Sequence, residues 1–113
     1  GLYAWYADPG YQVIWAREGA GASVSIEQSP EGRRRLRTNN GFAEGGEGGA
    51  WSQIRQGLLP TLLRPDARRV LVLGVGSGIT AAGAVAGLPA ASFDAVELLP
   101  EIRAALSFFE RAN

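Results

Sequence analysis

The sequence contains no cysteine and no histidine. Thiol nucleophiles, disulfides, histidine-based catalytic triads and zinc sites of the usual ligand types are therefore excluded within this chain. Every one of the 11 basic residues is an arginine, so a lysine Schiff base and a P-loop lysine are excluded as well. A net charge of zero gives no general attraction to polyanions, and we expect no nucleic acid partner.

The sequence also lacks methionine and begins at Gly1, so we expect it to be a piece of a longer protein. It has no apolar run of about 18 residues, the length that would predict a membrane-spanning helix. A hydrophobic content of 46% and a charged content of 19% in 113 residues indicate a folded chain with one modest core.

The first part of the chain has the pattern of a small antiparallel β meander. Val24 and Ile26 alternate with Ser25 and Glu27, as in a strand with one apolar face. Turn-forming residues separate four strand-like segments, at positions 1–6, 11–16, 22–28 and 33–38. We predict that residues 1–49 form a β-strand domain.

Two stretches of this domain allow more than one interpretation. Four arginines between positions 33 and 37 indicate a solvated hairpin, with a phosphate-binding patch as the alternative. The glycine-rich residues 44–49 indicate an ordinary surface loop, with a substrate-side lid as the alternative. Trp15 and Trp51 are predicted to belong to the core.

Residues 50–113 alternate between helix-type and strand-type patterns. Apolar spacing predicts a helix over residues 50–63, which Pro60 should kink or end. The patterns that follow predict a strand over 68–73, a helix over 78–87, a strand over 93–98 and a helix over 100–111. The apolar run in the first strand indicates burial on both faces. We predict an α/β chain in which the meander precedes a truncated Rossmann-like parallel sheet. Residues 50–113 form the first half of that sheet.

The candidate site is the turn between the first of these strands and its helix. Gly74, Gly76 and Gly78 allow the backbone to turn tightly and to approach a ligand closely. Their spacing is G-x-G-x-G, which favours an S-adenosylmethionine-type site over a dinucleotide pyrophosphate site. Glu97 ends the second strand, where a carboxylate can accept the hydroxyls of a ribose.

The order of these features resembles the spermidine synthase family, the polyamine aminopropyltransferases. The resemblance rests on the meander with Tyr11 and Gln12, the glycine strand, Glu97, and the segment LPTLLRP at 59–65. It covers nearly the whole chain and is strongest with divergent bacterial members. It implies a class I methyltransferase fold preceded by a small β domain, and a cytoplasmic transferase acting on a small-molecule amine without a metal.

The resemblance also implies roles for single residues. Gln53 falls where the family has a glutamine or histidine that contacts the nucleoside, and Gln12 matches a ligand-contacting glutamine across a one-residue gap. Glu97 matches the ribose-binding acid. Ser77 stands where the family has an aspartate that engages the amine of decarboxylated S-adenosylmethionine, so this compound and S-adenosylmethionine both remain candidate cofactors. The family's catalytic base lies beyond this sequence, and no catalytic residue is assigned.

Several alternatives stay open from the sequence. The parent protein could be an S-adenosylmethionine-dependent methyltransferase, or a non-catalytic binding module that keeps the fold. A homodimer and membrane segments fused to the parent are further options. We predict that the 113-residue chain binds a nucleoside weakly and does not catalyse aminopropyl transfer.

Overall fold

The computed structural model describes residues 8–39, 41 and 43–113. The predicted first strand, residues 1–6, lies outside the described residues. The chain is α/β, with one four-stranded antiparallel sheet and one two-stranded parallel sheet.

The predicted meander is confirmed from its second segment onward. Its strands are β1, Gln12–Glu18, β2, Ser23–Gln28, β3, Arg34–Thr38, and β4, Ala43–Gly46, and they pair antiparallel in the order β1-β2-β3-β4. The prediction of a surface loop at 44–49 is wrong, because this segment forms the end of β4 and a short 3-10 helix, Glu47–Gly49. Gly46 pairs with Arg35 at φ 153°, and a Cβ there would lie 2.7 Å from the Cα of Arg35.

Both faces of β2 are buried. Val24 and Ile26 enter the core as predicted, but Glu27 on the opposite face is only 1% exposed. Its carboxylate accepts a hydrogen bond of 2.7 Å from Nε of Arg35 and also pairs with Arg37. The prediction of a solvated arginine hairpin is therefore wrong for these arginines, since they neutralise a buried acid.

The largest core cluster joins the sheet to the end of the chain. Its members are Val24, Ile26, Leu36, Ile102, Ala105 and Phe109, with Trp15 packed against them. The C-terminal helix α3, Pro100–Ala105, is shorter than predicted and continues as a 3-10 helix, Leu106–Phe109. Residues on both sides of the predicted domain boundary thus share one core.

Helices α1, Ala50–Leu63, and α2, Ile79–Gly87, pack closely against each other. Pro60 lies inside α1, so the helix does not end there, which was one of the two predicted effects of this proline. Proline has no N–H to donate, but its carbonyl still accepts a hydrogen bond of 3.0 Å from the amide of Arg64, which caps the helix. Trp51 is 79% exposed on α1, so its predicted place in the core is wrong.

Strands β5, Arg69–Leu73, and β6, Ser92–Val96, pair in parallel and flank α2 in the chain. Side chains alternate along β5: Val70 and Val72 are half-buried, while Leu71 and Leu73 are 59% and 75% exposed. The prediction that both faces are covered is wrong within the described residues, because Leu71 and Leu73 on one face of β5 are exposed.

None of the helices in the described part of the chain is long and apolar enough to cross a membrane.

Candidate functional site

The glycine turn, residues 74–78, requires glycine at each of its three glycine positions. Gly74, Gly76 and Gly78 have φ values of 78°, 55° and 81°, which residues with a Cβ rarely adopt. Two backbone bonds hold the turn: the amide of Gly74 donates to the carbonyl of Val96 at 2.8 Å, and the amide of Gly78 donates to the carbonyl of Val75 at 2.9 Å. The first of these bonds ties the turn to β6, the strand that precedes Glu97.

The carboxylate of Glu97 lies against this turn. Its Oε2 accepts hydrogen bonds from the amides of Val75, at 2.8 Å, and Gly76, at 3.2 Å. Its Oε1 accepts one from the amide of Leu99, at 3.0 Å. Burial raises the pKa of Glu97, but the backbone amides of Leu99, Val75, Gly76 and Leu98 together more than offset it, so the pKa lies below its ordinary value of 4.5.

This lowered pKa makes Glu97 a contributor to stability whose effect depends on pH. Because the folded pKa is below the unfolded one, the contribution is complete above about pH 4.5 and is lost as the pH falls through the folded pKa. We expect the difference in melting temperature between the wild type and Glu97→Gln to shrink between about pH 5 and pH 3. Because both proteins contain the other acids, the titration of those acids cancels when the two melting temperatures are subtracted. A difference that is constant over this range would contradict the lowered pKa of Glu97.

A second set of bonds connects the turn to α1 and β4. The hydroxyl of Ser77 donates to Oε1 of Gln53 at 2.7 Å, and Nε2 of Gln53 donates to the carbonyl of Gly46 at 2.9 Å. Ser77 is buried, and Gln53 is half-buried on the first turn of α1. Both ends of the Gln53 amide are therefore engaged within the protein, which fixes the amide's orientation.

These groups line one pocket of about 450 Å³, which we call the glycine-turn pocket. Its wall brings together five of the residues predicted from the sequence: Gln53, Gly74, Gly76, Ser77 and Glu97. The remaining wall is largely apolar, with Val72, Leu99 and Ile102 among its members. The shape and the apolar wall suit a small organic ligand with a few polar groups.

Two predicted residues lie elsewhere. Gln12 is exposed on β1, where it pairs with Gln28, and does not line this pocket. Gly78 is buried beneath it as the N-terminal cap of α2, and a Cβ there would lie 2.9 Å from Nδ2 of Asn113. That Nδ2 donates to the carbonyl of Ser77 at 3.0 Å, so the Asn113 side chain holds the turn in the space that the missing Cβ of Gly78 leaves open.

The sequence reasoning missed Glu44, which lines the pocket from β4. The glycine-rich context of Glu44 pointed to a loop, and the pairing of β3 with β4 brings this residue to the pocket. Among the residues that the structure describes, Glu44 and Glu97 are the charged ones in the wall of the glycine-turn pocket, and no arginine lines it. The pocket is therefore electronegative and suits a neutral or cationic ligand.

Within residues 8–39, 41 and 43–113, no group of three or more acidic side chains is placed to hold a metal ion. Comparison of the sequence with protein-family models gives no match, and comparison with curated proteins gives none either.

Proposed function

We propose that this chain binds the nucleoside part of S-adenosylmethionine or its decarboxylated form, as part of a spermidine synthase-like transferase. Under this proposal β5, α2 and β6 are the first part of a Rossmann-like, class I methyltransferase sheet. The glycine-turn pocket then holds the adenosine and the sulfonium. In the intact protein an amine nitrogen would attack the carbon next to the sulfonium, forming a C–N bond as the C–S bond breaks and methylthioadenosine leaves.

The position of the Glu97 carboxylate is the observation that carries this proposal. A glycine turn that binds pyrophosphate must offer its amides to the phosphate oxygens. Here the amides of Val75 and Gly76 already donate to Glu97, so an anion would have to displace a carboxylate held by three bonds. This arrangement supports a ligand without phosphates at the turn.

The same carboxylate can receive a ribose. A carboxylate has about four lone-pair sites, and three are used by backbone amides. One ribose hydroxyl can donate to the remaining site. The second can replace the amide of Gly76, whose bond of 3.2 Å is the longest of the three. The electronegative wall is also compatible with the positive sulfonium.

The direct test is calorimetry of the chain with 5′-methylthioadenosine, the part common to both cofactors. We expect measurable binding that Glu97→Gln weakens by about 10-fold or more, since hydrogen bonds to charged groups contribute about 1.5–3 kcal/mol. Asp94→Asn is the matched control, because Asp94 is an exposed acid on β6 outside the pocket. Absence of binding, or tighter binding of a dinucleotide than of methylthioadenosine, would contradict the proposal.

A methyltransferase is the second candidate, and Ser77 favours it. The resemblance places an acid at this position to engage the amine of the decarboxylated cofactor, and a serine hydroxyl carries no charge for that purpose. Ordinary S-adenosylmethionine would then be the ligand, with a methyl group transferred in place of the aminopropyl group. A clear preference of the protein for S-adenosylmethionine over the decarboxylated compound would support this candidate.

A further inference from the structure

Most polar side chains of the glycine-turn pocket are already engaged within the protein. Glu97 is held by backbone amides, and the hydroxyl of Ser77 donates to Gln53. The amide of Gln53 bridges Ser77 and the backbone of β4. Glu44 differs from them, because its exposed carboxylate forms no hydrogen bond or ion pair with the residues that the structure describes.

The strand that carries Glu44 is fixed against the glycine turn. Next to it, Gly45 packs so closely that a Cβ would lie 2.7 Å from Oε1 of Gln53 and 3.0 Å from Oγ of Ser77. On its other edge β4 pairs with β3, where Gly45 lies opposite Leu36 and Gly46 opposite Arg35. The register shifts at Glu44, because Leu36 pairs with Gly45 and Arg37 pairs with Ala43, so Glu44 is the extra residue of a β-bulge. It lines the pocket one residue away from the contact with Ser77.

We propose that Glu44 determines the charge of the ligand that this pocket accepts. The inference rests on the proposed function, that is, on a pocket for a nucleoside sulfonium. S-adenosylmethionine and its decarboxylated form share the adenosine, the sulfonium and the amine, and differ by one carboxylate. A carboxylate at the wall attracts the amine of both compounds and repels the carboxylate of one.

Glu44 thereby supplies, from the antiparallel sheet, a negative charge that Ser77 cannot supply from the turn. Because Ser77 is buried and its hydroxyl donates to Gln53, it does not distinguish ligands by their charge. The pocket is expected to prefer the decarboxylated compound even though it has a serine at that position.

The test is a comparison of dissociation constants for S-adenosylmethionine and decarboxylated S-adenosylmethionine, with 5′-methylthioadenosine as the probe of the shared part. For the wild type at low salt we expect the decarboxylated compound to bind about 10-fold more tightly. Glu44→Gln should bring the ratio of the two constants close to one. Glu110→Gln, which removes an exposed acid outside the pocket, should keep the wild-type ratio.

A second measurement needs no variant. Since Glu44 is exposed, salt screens its repulsion, and the wild-type ratio should fall as the ionic strength rises from about 0.01 M to 1 M. If methylthioadenosine binds but the wild-type ratio is close to one, or Glu44→Gln keeps that ratio, the role of Glu44 is overturned and the proposed function stands. If none of the three compounds binds, both proposals fail.

Discussion

Replacing Gly57 by alanine should destabilise the protein by about 2 kcal/mol, within the range for overpacked interiors. Intrinsic propensity predicts the opposite, because glycine inside a helix costs about 0.5–1 kcal/mol relative to alanine. The packing of α1 on α2 reverses the sign of the expected change in stability. A Cβ at Gly57 would collide with the carbonyl oxygen of Thr80 and lie 2.7 Å from the backbone nitrogen of Ala84.

This collision cannot be relieved by a side-chain rotation, since the opposing atoms belong to the backbone of α2. The contact is also reciprocal: a Cβ at Gly83 of α2 would collide with the carbonyl of Ile54 and lie 3.0 Å from its Cα. One helix would have to move away from the other. Gln53 on α1 and Ser77 just before α2 would then separate, so we expect weaker nucleoside binding together with the lower stability.

Urea unfolding of Gly57→Ala and Gly83→Ala measures the effect. Gly48→Ala is the control, because Gly48 has a negative φ and a Cβ there would have no atom within 4 Å. We expect that control to change the free energy of unfolding by less than about 0.5 kcal/mol. A Gly57→Ala protein as stable as the wild type would show that the helices do not pack at the described distance.

The sequence was informative where a local pattern decides the structure. The alternation in β2 and the turns around it were sufficient to predict the meander. The glycine spacing predicted a tight turn, and its three glycines have positive φ values. Glu97 was predicted to end the second strand, and it lies next to that turn because adjacent parallel strands end at the same edge of a sheet. Each of these inferences uses residues that are close together in the sequence, or one rule of sheet geometry.

The sequence was less informative where distant segments meet. β4 is glycine-rich and has low intrinsic strand propensity, so its pairing with β3 and the arrival of Glu44 at the pocket were missed. The close approach of α1 and α2 was not assigned either, since small residues in α2 fit a sheet or a ligand equally well. The arginine run looked solvated because the acid that it neutralises lies on another strand.

That acid, Glu27, gives the second large expected effect. Glu27→Ala should lower the free energy of unfolding by about 3 kcal/mol, because removing one partner of a buried ion pair leaves the others uncompensated. Glu27 is 1% exposed, and its Oε2 contacts both Nε of Arg35, at 2.7 Å, and Nε of Arg37, at 3.5 Å. The two guanidinium groups would remain packed against the sheet with Asp8 as their nearest acid.

Asp8→Asn separates burial from charge in the same network. Asp8 pairs with both of these arginines, Arg35 at 2.6 Å and Arg37 at 3.1 Å, but its side chain is 50% exposed. Water and salt screen an exposed ion pair, so Asp8→Asn should cost far less than Glu27→Ala in urea unfolding at neutral pH. Equal losses for the two variants would mean that water reaches Glu27 in solution, and that the outer face of the sheet is held by surface charge rather than by a buried acid.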